Sequence, residues 1–140
     1  MIREIAAGDH DAWAALFLAY GEFYETSFSV EVVESTWRRL LDSTAGVDAL
    51  VAEVDGAVVG FAHYRSHPDT FSTGRDWFLD DLFVSSQARG EGLATALIEH
   101  LKGIADGTLR WITAESNTTA QSVYDKVATR TTWVTYEVRQ

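Results

Sequence analysis

The sequence predicts one mixed α/β or α+β domain that spans residues 1–140. Segments with helical spacing of apolar residues alternate with segments of strand-type residues in the order βααβββαβαβ. A hydrophobic fraction of 46%, with 12% aromatic residues, is enough to fill a core. We find no internal repeat, low-complexity tract or linker that would divide the chain.

The first third of the chain places helix signals after one short strand. Residues 2–5 form the strand candidate. Asp9 can cap a helix that ends near Gly21, and Ser29 can cap a second helix that runs to about residue 42. The segment around the gap between these helices is unusually aromatic and contains Tyr20, Phe23, Tyr24 and Phe28.

A hairpin and a βαβαβ run follow. Asp55-Gly56, the strongest short hairpin signal, joins predicted strands over residues 49–54 and 57–64. After a loop at 67–75, the remaining elements are a strand at 77–84, a helix from 93 to about 104, a strand at 109–114, a helix at 117–127 and a last strand at 131–138.

A glycine-rich turn joins the central strand to the third helix. It reads Gln87-Ala88-Arg89-Gly90-Glu91-Gly92. Such a turn leaves backbone N–H groups unpaired at a helix N-terminus, where they and the helix dipole attract an anion, most often a phosphate. Gly90 and Gly92 permit positive φ angles or a close approach of the backbone to a ligand.

Composition and motifs exclude several classes of function. A net charge of −10 argues against nucleic acid or an anionic membrane as a partner. The chain has no cysteine, and its four histidines have no spacing typical of a metal site, so we expect no metal. P-loop, dinucleotide-binding and nucleophile-elbow motifs are absent. With no signal peptide or membrane span, a cytoplasmic location is expected.

Three pieces, in this order, resemble the GNAT superfamily of acetyl-CoA-dependent N-acetyltransferases. They are the strand FLDDLFV at 78–84, the turn Gln87-x-x-Gly90-x-Gly92 with its following Leu-Ala, and the helix NTTAQSVYDKVA at 117–128. The strong resemblance covers residues 77–136, and the N-terminal part matches in element order only. It implies a GNAT-like acyl-CoA N-acyltransferase fold, with a mixed, mostly antiparallel sheet of about six to seven strands and about four helices.

The resemblance also implies where acetyl-CoA binds. The strand offers backbone groups to the pantetheine arm, the turn N–H groups hold the pyrophosphate, and Arg89 adds a cation beside it. Glu91 departs from the family pattern and is expected to point to solvent. Asn117 contacts the cofactor arm, caps its own helix, or does both. The implied cofactor-binding residues are Leu82, Phe83, Val84, Gln87, Arg89, Gly90, Glu91, Gly92, Leu93, Ala94, Thr95, Asn117 and Tyr124.

Two kinds of catalytic residue follow from the same resemblance. Tyr124 matches the family's tyrosine, whose hydroxyl lies near the cofactor sulfur and can protonate the leaving thiolate. The alternative is that Tyr124 is a half-buried tyrosine of the helix with no catalytic role. Asp80 takes the position of the base suspected in the polyamine-acetylating branch, directly or through water, and Asp81 is the second candidate. Neighbours on a strand point to opposite faces, so only one is expected to face the substrate; either can instead pair a cation or cap a loop.

The acceptor pocket is expected at the helix–loop–helix segment. Its substrate-binding residues would be Tyr20, Phe23, Tyr24, Phe28 and Asp80. Ordinary packing in the core or at a dimer interface would also explain the aromatic residues. The predicted activity is direct acetyl transfer from acetyl-CoA to a primary amine of a small molecule such as a polyamine or amino acid. The alternatives are a non-catalytic acyl-CoA sensor and a protein acetyltransferase acting on lysines or N-termini. The family often dimerises, so a homodimer is expected.

Overall fold

The structure is a computed structural model and describes residues 1–140. The elements are β1 (Ile2–Glu4), a 3-10 turn (Ala7–Asp9), α1 (His10–Phe23), α2 (Val30–Leu41), β2 (Asp48–Val54), β3 (Ala57–Pro68), β4 (Arg75–Val84), a second 3-10 turn (Ser86–Ala88), α3 (Leu93–Ile104), β5 (Leu109–Arg110) and α4 (Thr118–Tyr124). The strands form one five-stranded sheet in the order β1-β2-β3-β4-β5, which is antiparallel except for the parallel pair β4 and β5.

Two apolar clusters cover the two faces of the sheet. On one face, α1 and α2 pack against alternate residues of β2 and β3, including Val51 and Phe61. On the other face, α3 inserts Leu97, Ile98 and Leu101 against the residues in between. The period-2 alternation of strand side chains therefore divides the core into an α1 face and an α3 face.

The capping predictions have different outcomes. The Ser29 Oγ accepts a hydrogen bond from the Val32 N–H at 3.1 Å, which confirms it as the N-cap of α2. Asp9 precedes α1, but its carboxylate does not cap that helix. Instead it accepts hydrogen bonds from the Ala6 N–H and the Arg3 guanidinium, both at 2.8 Å. The ion pair therefore ties the start of α1 to β1, and no side chain caps the helix.

Strand β4 contains one extra residue relative to β3. His63 pairs with Asp81 and Tyr64 pairs with Leu79, so Asp80 has no partner and forms a β-bulge. Leu79 and Leu82, on either side of the two aspartates, both belong to the α3-face cluster. Both aspartates therefore turn away from the α3 face, and the predicted placement of Asp80 and Asp81 on opposite faces is wrong.

β5 stays beside β4 for only two residue pairs, Trp77 with Leu109 and Phe78 with Arg110. The sequence predicted this strand over 109–114. Beyond residue 110 the chain leaves the ladder, and the sides of β4 and of residues 111–113 face each other across a cleft. This early separation of the last two strands positions the candidate site.

The predicted last strand, 131–138, does not form. Residues 128–140 are all exposed, and residues 129–140 make no backbone hydrogen bond. The alternating apolar side chains predicted a strand, but no strand edge of the same chain pairs with these residues, so the sheet has five strands and not the expected six to seven. None of the helices is both long and apolar enough to cross a bilayer, and the cytoplasmic location stays a prediction.

Candidate active site

The turn before α3 has the backbone that its glycines predicted. Gly90 and Gly92 have φ angles of 86° and 74°, in the region that favours glycine, and a Cβ at either position would meet no atom within 4 Å. The first hydrogen bond of α3 joins the Ala96 N–H to the Gly92 carbonyl oxygen at 2.9 Å. The N–H groups of residues 93–95 therefore have no acceptor in the helix, and no side chain caps them.

The bulge reverses which backbone groups of β4 point away from β3. Before it, the Trp77 N–H donates to the Thr108 carbonyl oxygen, toward β5. After it, the Ser85 N–H donates back to the Val59 carbonyl oxygen on β3, so the alternate N–H groups of Leu82 and Val84 point outward. β5 has already left the ladder at this level, and these two donors face the cleft.

The cleft between the separating strands collects most of the predicted reactive side chains. β4 contributes Asp80, α1 with its C-cap contributes Tyr20 and Tyr24, and α4 contributes Tyr124. The remaining lining residues are Leu79, Leu82, Trp111, Ile112 and Thr113. Three elements that are distant in sequence therefore place one carboxylate and three phenols around a single opening.

Tyr124 is the last residue of α4, and its ring packs edge-on against Trp111 with the ring centroids 5.4 Å apart. Burial raises the pKa of Tyr124 above its ordinary value, and the nearby Tyr24 adds to this shift. The hydroxyl therefore keeps its proton at neutral pH and can donate it.

Asp80 stands at the mouth of the cleft and forms an ion pair with Arg65 of β3. The Arg65 Nε lies 3.0 Å and 3.1 Å from the two carboxylate oxygens, and the same guanidinium lies over the Phe78 ring at 4.7 Å. Since 29% of the Asp80 side chain is exposed, the carboxylate stays reachable from solvent.

Asp81 is held from two sides. Its Oδ1 accepts a hydrogen bond from the Tyr20 hydroxyl at 2.7 Å, and its Oδ2 accepts one from the His63 Nδ1–H at 2.9 Å. Burial would raise the pKa of Asp81, but these hydrogen bonds outweigh burial and the pKa lies below its usual range. Burial and the negative charge of Asp81 together raise the pKa of Tyr20.

His63 is a member of the site that the sequence reasoning missed. It is buried, its ring stacks on Phe61 at 4.4 Å, and its Nε2 accepts a hydrogen bond from the Trp13 indole N–H at 2.9 Å. An Nε2 that accepts carries no proton, so the proton is on Nδ1 and points at Asp81. The available signal was a histidine among apolar residues within the predicted strand 57–64.

Other predicted residues lie outside the cleft. Phe28 stacks on Phe17 at 4.4 Å in the α1-face cluster, and Phe23 is exposed and packs edge-on against Tyr24. The Asn117 Oδ1 accepts from the Ala120 N–H at 3.2 Å, which confirms it as the N-cap of α4. The structure therefore brings two of the four predicted acceptor aromatics to the cleft, not all four.

Around the turn, the two charged side chains also differ. Arg89 folds toward the strand, where its Nε donates to the Val84 carbonyl oxygen at 3.2 Å and its guanidinium lies 5.5 Å from the Phe83 ring centroid. Glu91 is exposed and makes no hydrogen bond or ion pair, and Gln87 is exposed in the 3-10 turn. The anion-binding capacity of the turn thus rests on backbone N–H groups.

Known proteins are similar to this chain in sequence and in fold. The family model described as the acetyltransferase (GNAT) family matches residues 13–128. The chain is 34% identical to the D-amino-acid N-acetyltransferase HPA3 of Saccharomyces cerevisiae, over 98% of this chain and 89% of the yeast protein. It is 29% identical to the thialysine N-epsilon-acetyltransferase of Bos taurus, over 75% of this chain and 66% of the bovine protein.

A solved structure shows the same fold at lower identity. The ribosomal-protein-alanine N-acetyltransferase from Brucella melitensis biovar Abortus 2308 superposes with a TM-score of 0.83 at 24% identity, covering 100% of this chain and 99% of that one. The family match over most of the chain and the yeast relative carry the assignment. This protein belongs to the GNAT family and is an acetyl-CoA-dependent N-acetyltransferase.

Proposed function

We propose that the protein transfers the acetyl group of acetyl-CoA directly to a primary amine of a small molecule, with an amino acid or a polyamine as the acceptor class. The observation that carries this proposal is the cleft where Asp80 and Tyr124 meet beside the outward N–H groups of Leu82 and Val84. No cysteine is present and no nucleophile elbow occurs, which supports direct transfer over an acyl-enzyme.

The donor end of the site is built from backbone. The unpaired N–H groups of residues 93–95 and the α3 dipole suit the pyrophosphate, and the positive-φ glycines leave room for its approach. The outward edge of β4 at residues 82–84 suits the pantetheine arm. When bound, acetyl-CoA supplies an activated acetyl thioester to this edge. We assign the Val84 N–H as a donor to the developing oxyanion.

The acceptor amine must lose a proton, because an alkylammonium ion titrates near about 10. We assign Asp80 as the group that draws the ammonium into the cleft and takes its proton, directly or through water. Asp81, the second candidate, is less suited because it does not line the cleft and its carboxylate is held by hydrogen bonds from Tyr20 and His63. Its proposed role is to hold Tyr20 in position.

The transfer balances within these residues. Asp80 passes the proton that it takes from the ammonium to solvent. The amine nitrogen then forms a bond to the acetyl carbon, the bond from that carbon to sulfur breaks, and the second nitrogen proton leaves through Asp80 to solvent. Tyr124 donates its hydroxyl proton to the leaving thiolate and recovers one from solvent. The products are an N-acetyl amide and a free thiol.

A small amine as the acceptor agrees with the residues that line the cleft and with the names of the relatives. The aromatic rings of Tyr20 and Tyr24 beside a carboxylate suit a cationic amine. The yeast relative is named for D-amino acids and the bovine relative for the epsilon nitrogen of thialysine. Those names support amino-acid acceptors ahead of the polyamines.

The test is free-thiol release from acetyl-CoA with D-amino acids, lysine analogues, polyamines and a peptide with a free N-terminus, against a control without acceptor. Release with the amino acids or polyamines is expected. Release with the peptide alone would replace the small-molecule acceptor by a protein. Tight acetyl-CoA binding by calorimetry with no release from any acceptor would contradict the proposed turnover.

Asp80→Asn separates the proposed base from other carboxylates. It should lower kcat/KM by about 100-fold or more and flatten the pH–rate profile. The matched control is Asp76→Asn, because Asp76 is also an ion-paired carboxylate of β4, bound to Arg110, but lies outside the cleft. An unchanged profile in Asp80→Asn would move the base role to Asp81 or to a water chain.

A further inference from the structure

Arg65 lies beside the proposed base and has unused hydrogen-bond donors. Its Nε holds the two Asp80 carboxylate oxygens at 3.1 Å and 3.0 Å, and its Nη1 and Nη2 make no hydrogen bond within the protein. In a guanidinium, most of the N–H donors are on these two terminal nitrogens. Because 47% of the Arg65 side chain is exposed, it can offer these donors to a ligand at the mouth of the cleft.

Two contacts hold the Arg65 guanidinium in place. Arg65 pairs with Phe78 across β3 and β4, and its guanidinium carbon lies 4.7 Å from the centroid of the Phe78 ring, which is a cation–π contact. Asp80, the unpaired residue of β4, binds the Nε of the same guanidinium. A donor group that is already ordered loses less conformational entropy when a ligand binds.

Asp80 and Arg65 thus form a pair of opposite charges in direct contact. No lysine or arginine lines the cleft itself, so Arg65 is the one cation in contact with the carboxylate of the cleft. A ligand that satisfies both charges needs an ammonium and an anion that are equally close together. An α-amino acid has this arrangement, because a single carbon atom separates its ammonium nitrogen from its carboxylate.

We propose that Arg65 binds the carboxylate of the acceptor, and that the acceptor is an α-amino acid acetylated on its α-nitrogen. The α-ammonium lies against Asp80, and the carboxylate accepts hydrogen bonds from the Nη1 and Nη2 groups of Arg65. This assignment rests on the proposed function, because it needs acetyl transfer beside Asp80. The new bond to the acetyl carbon forms at the α-nitrogen, the carbon–sulfur bond breaks, two ammonium protons leave through Asp80, and Tyr124 protonates the thiolate.

The same pair disfavours two other kinds of amine. A polyamine has no anion for Arg65 and brings a second ammonium toward it, and like charges in contact repel. The net charge of −10 attracts polyamines over longer distances, but salt screens charges beyond about 8 Å under physiological conditions. In lysine bound through its ε-amine, the whole side chain separates the reacting nitrogen from the carboxylate, so Arg65 and Asp80 cannot both be satisfied at the reacting end.

Lysine is the sharpest probe, because it offers both amines in one molecule. The wild type should acetylate its α-nitrogen, and Arg65→Gln should lower the ratio of α-acetyl to ε-acetyl product by about 10- to 100-fold, as expected for loss of charge-assisted hydrogen bonds. NMR of the products measures this ratio. The matched control is Arg75→Gln, since Arg75 is an exposed arginine of β4 that binds Ser66 and does not contact Asp80.

Amides of the same amino acids test whether the carboxylate is the group that Arg65 binds. The preference in kcat/KM for an α-amino acid over its amide should fall by about 10- to 100-fold in Arg65→Gln, and Arg65→Lys should restore part of it. Comparison of the two enzymes cancels the intrinsic difference in reactivity between the two amines. An equal loss for acid and amide would mean that Arg65 acts only through Asp80, and would overturn the proposal, as would acetylation of lysine at the ε-nitrogen by the wild type.

Calorimetry separates this proposal from the proposed transfer. Both enantiomers of phenylalanine and their amides are titrated into the full chain saturated with coenzyme A. Binding of an acid at least about 10-fold tighter than its amide, lost in Arg65→Gln, would support the carboxylate site even if no acceptor were acetylated. Acids that bind no tighter than their amides would overturn it, and acetylation of polyamines in that case would leave the proposed transfer standing.

Discussion

The two faces of the sheet bury clusters of nearly equal size, 10 residues on the α3 face and 9 on the α1 face, yet their chemistry differs. The α3 face is mainly aliphatic, and the site it supports is made of backbone N–H groups at a helix start. The α1 face is aromatic and encloses a chain of hydrogen bonds from Trp13 through His63 and Asp81 to Tyr20. One face thus contributes main-chain groups to the active site and the other contributes side chains.

The main-chain site and the side-chain site should respond differently to substitution. A main-chain site survives changes of nearby side chains as long as the turn keeps its backbone. A side-chain site depends on each donor and acceptor in the chain of contacts, because a buried polar group without a partner costs about 1–3 kcal/mol. Substitutions on the two faces should therefore have separable effects on turnover and on stability.

Tyr124→Phe should cause the largest loss of activity. Tyr124 is an exception among the residues of the α3 face, because it contributes a side chain to the active site. Tyr124 packs against the α3-face cluster but places a hydroxyl in the cleft. Loss of the proton donor should lower kcat by about 100- to 10,000-fold while acetyl-CoA affinity stays within about 2-fold. Steady-state kinetics and calorimetry measure the two quantities. Tyr64→Phe, a buried tyrosine of the same cluster, is the control, and equal rates in both variants would remove the acid role.

Leu101→Ala should show how much the apolar packing of the α3 face contributes to the free energy of unfolding. The side chain is completely buried between α3 and the sheet, so its truncation leaves a cavity and should lower the free energy of unfolding by about 2–5 kcal/mol. The shape of the pH–rate profile should not change. Urea unfolding measures the loss against Leu18→Ala, a leucine of α1 that is 42% exposed. A loss below about 1 kcal/mol would mean that the cluster repacks.

Asp81→Asn should break the polar chain of the α1 face. An asparagine cannot accept from both His63 and Tyr20 as the carboxylate does, so we expect a loss of about 1–3 kcal/mol in unfolding free energy at pH 7. The folded pKa of Asp81 lies below its unfolded value of about 3.9. The stabilisation is therefore present above that value and is lost as the pH falls through the folded pKa.

Urea unfolding at pH 7 and in acid checks this prediction, because the difference between wild type and Asp81→Asn should shrink in acid. Asp80→Asn is the matched control. Its ion pair with Arg65 is solvent-exposed and should contribute about 0–1 kcal/mol at most. Equal losses of unfolding free energy in Asp80→Asn and Asp81→Asn would mean that the hydrogen bonds of Asp81 do not stabilise the fold.

Glu91→Gln should have the smallest effect. The carboxylate is exposed and unpaired beside a turn that binds through its backbone, so acetyl-CoA affinity should change by less than about 2-fold. Calorimetric titration measures it, with Gly92→Ala as the comparison because alanine resists the φ of 74°. A tenfold gain of affinity in Glu91→Gln would show that this side chain faces the phosphates.

Sequence reasoning succeeded where structure is decided by a few neighbouring residues. The Asp55-Gly56 hairpin forms with φ angles of 52° and 81°, and the glycine turn, the Ser29 cap and the Asn117 cap are present as predicted. Each depends on the conformational range of one residue or on one hydrogen bond within about three positions.

Prediction from the sequence failed where the structure of one segment depends on its contacts with another, distant segment. The sequence FLDDLFV does not show how many residues of β3 pair with it. The bulge at Asp80 and the placement of both aspartates on one face of the sheet therefore could not be predicted. The same holds for His63, whose partners come from α1 and β4. Residues 131–138 have the pattern of a strand, but a strand also needs a neighbour, which one chain does not provide.

The unpaired residue in β4 sets how the strand tolerates changes in length. Asp80 is the residue without a partner, so its removal would leave Tyr64 paired with Leu79 and His63 paired with Asp81 and would restore regular alternation. Removal of Phe83 would instead move Asp81 and Leu82 by one position against β3, and the Asp81 carboxylate would then face the apolar α3 layer. Deletion of Asp80 should therefore leave the protein folded but without its proposed base, whereas deletion of Phe83 should unfold it.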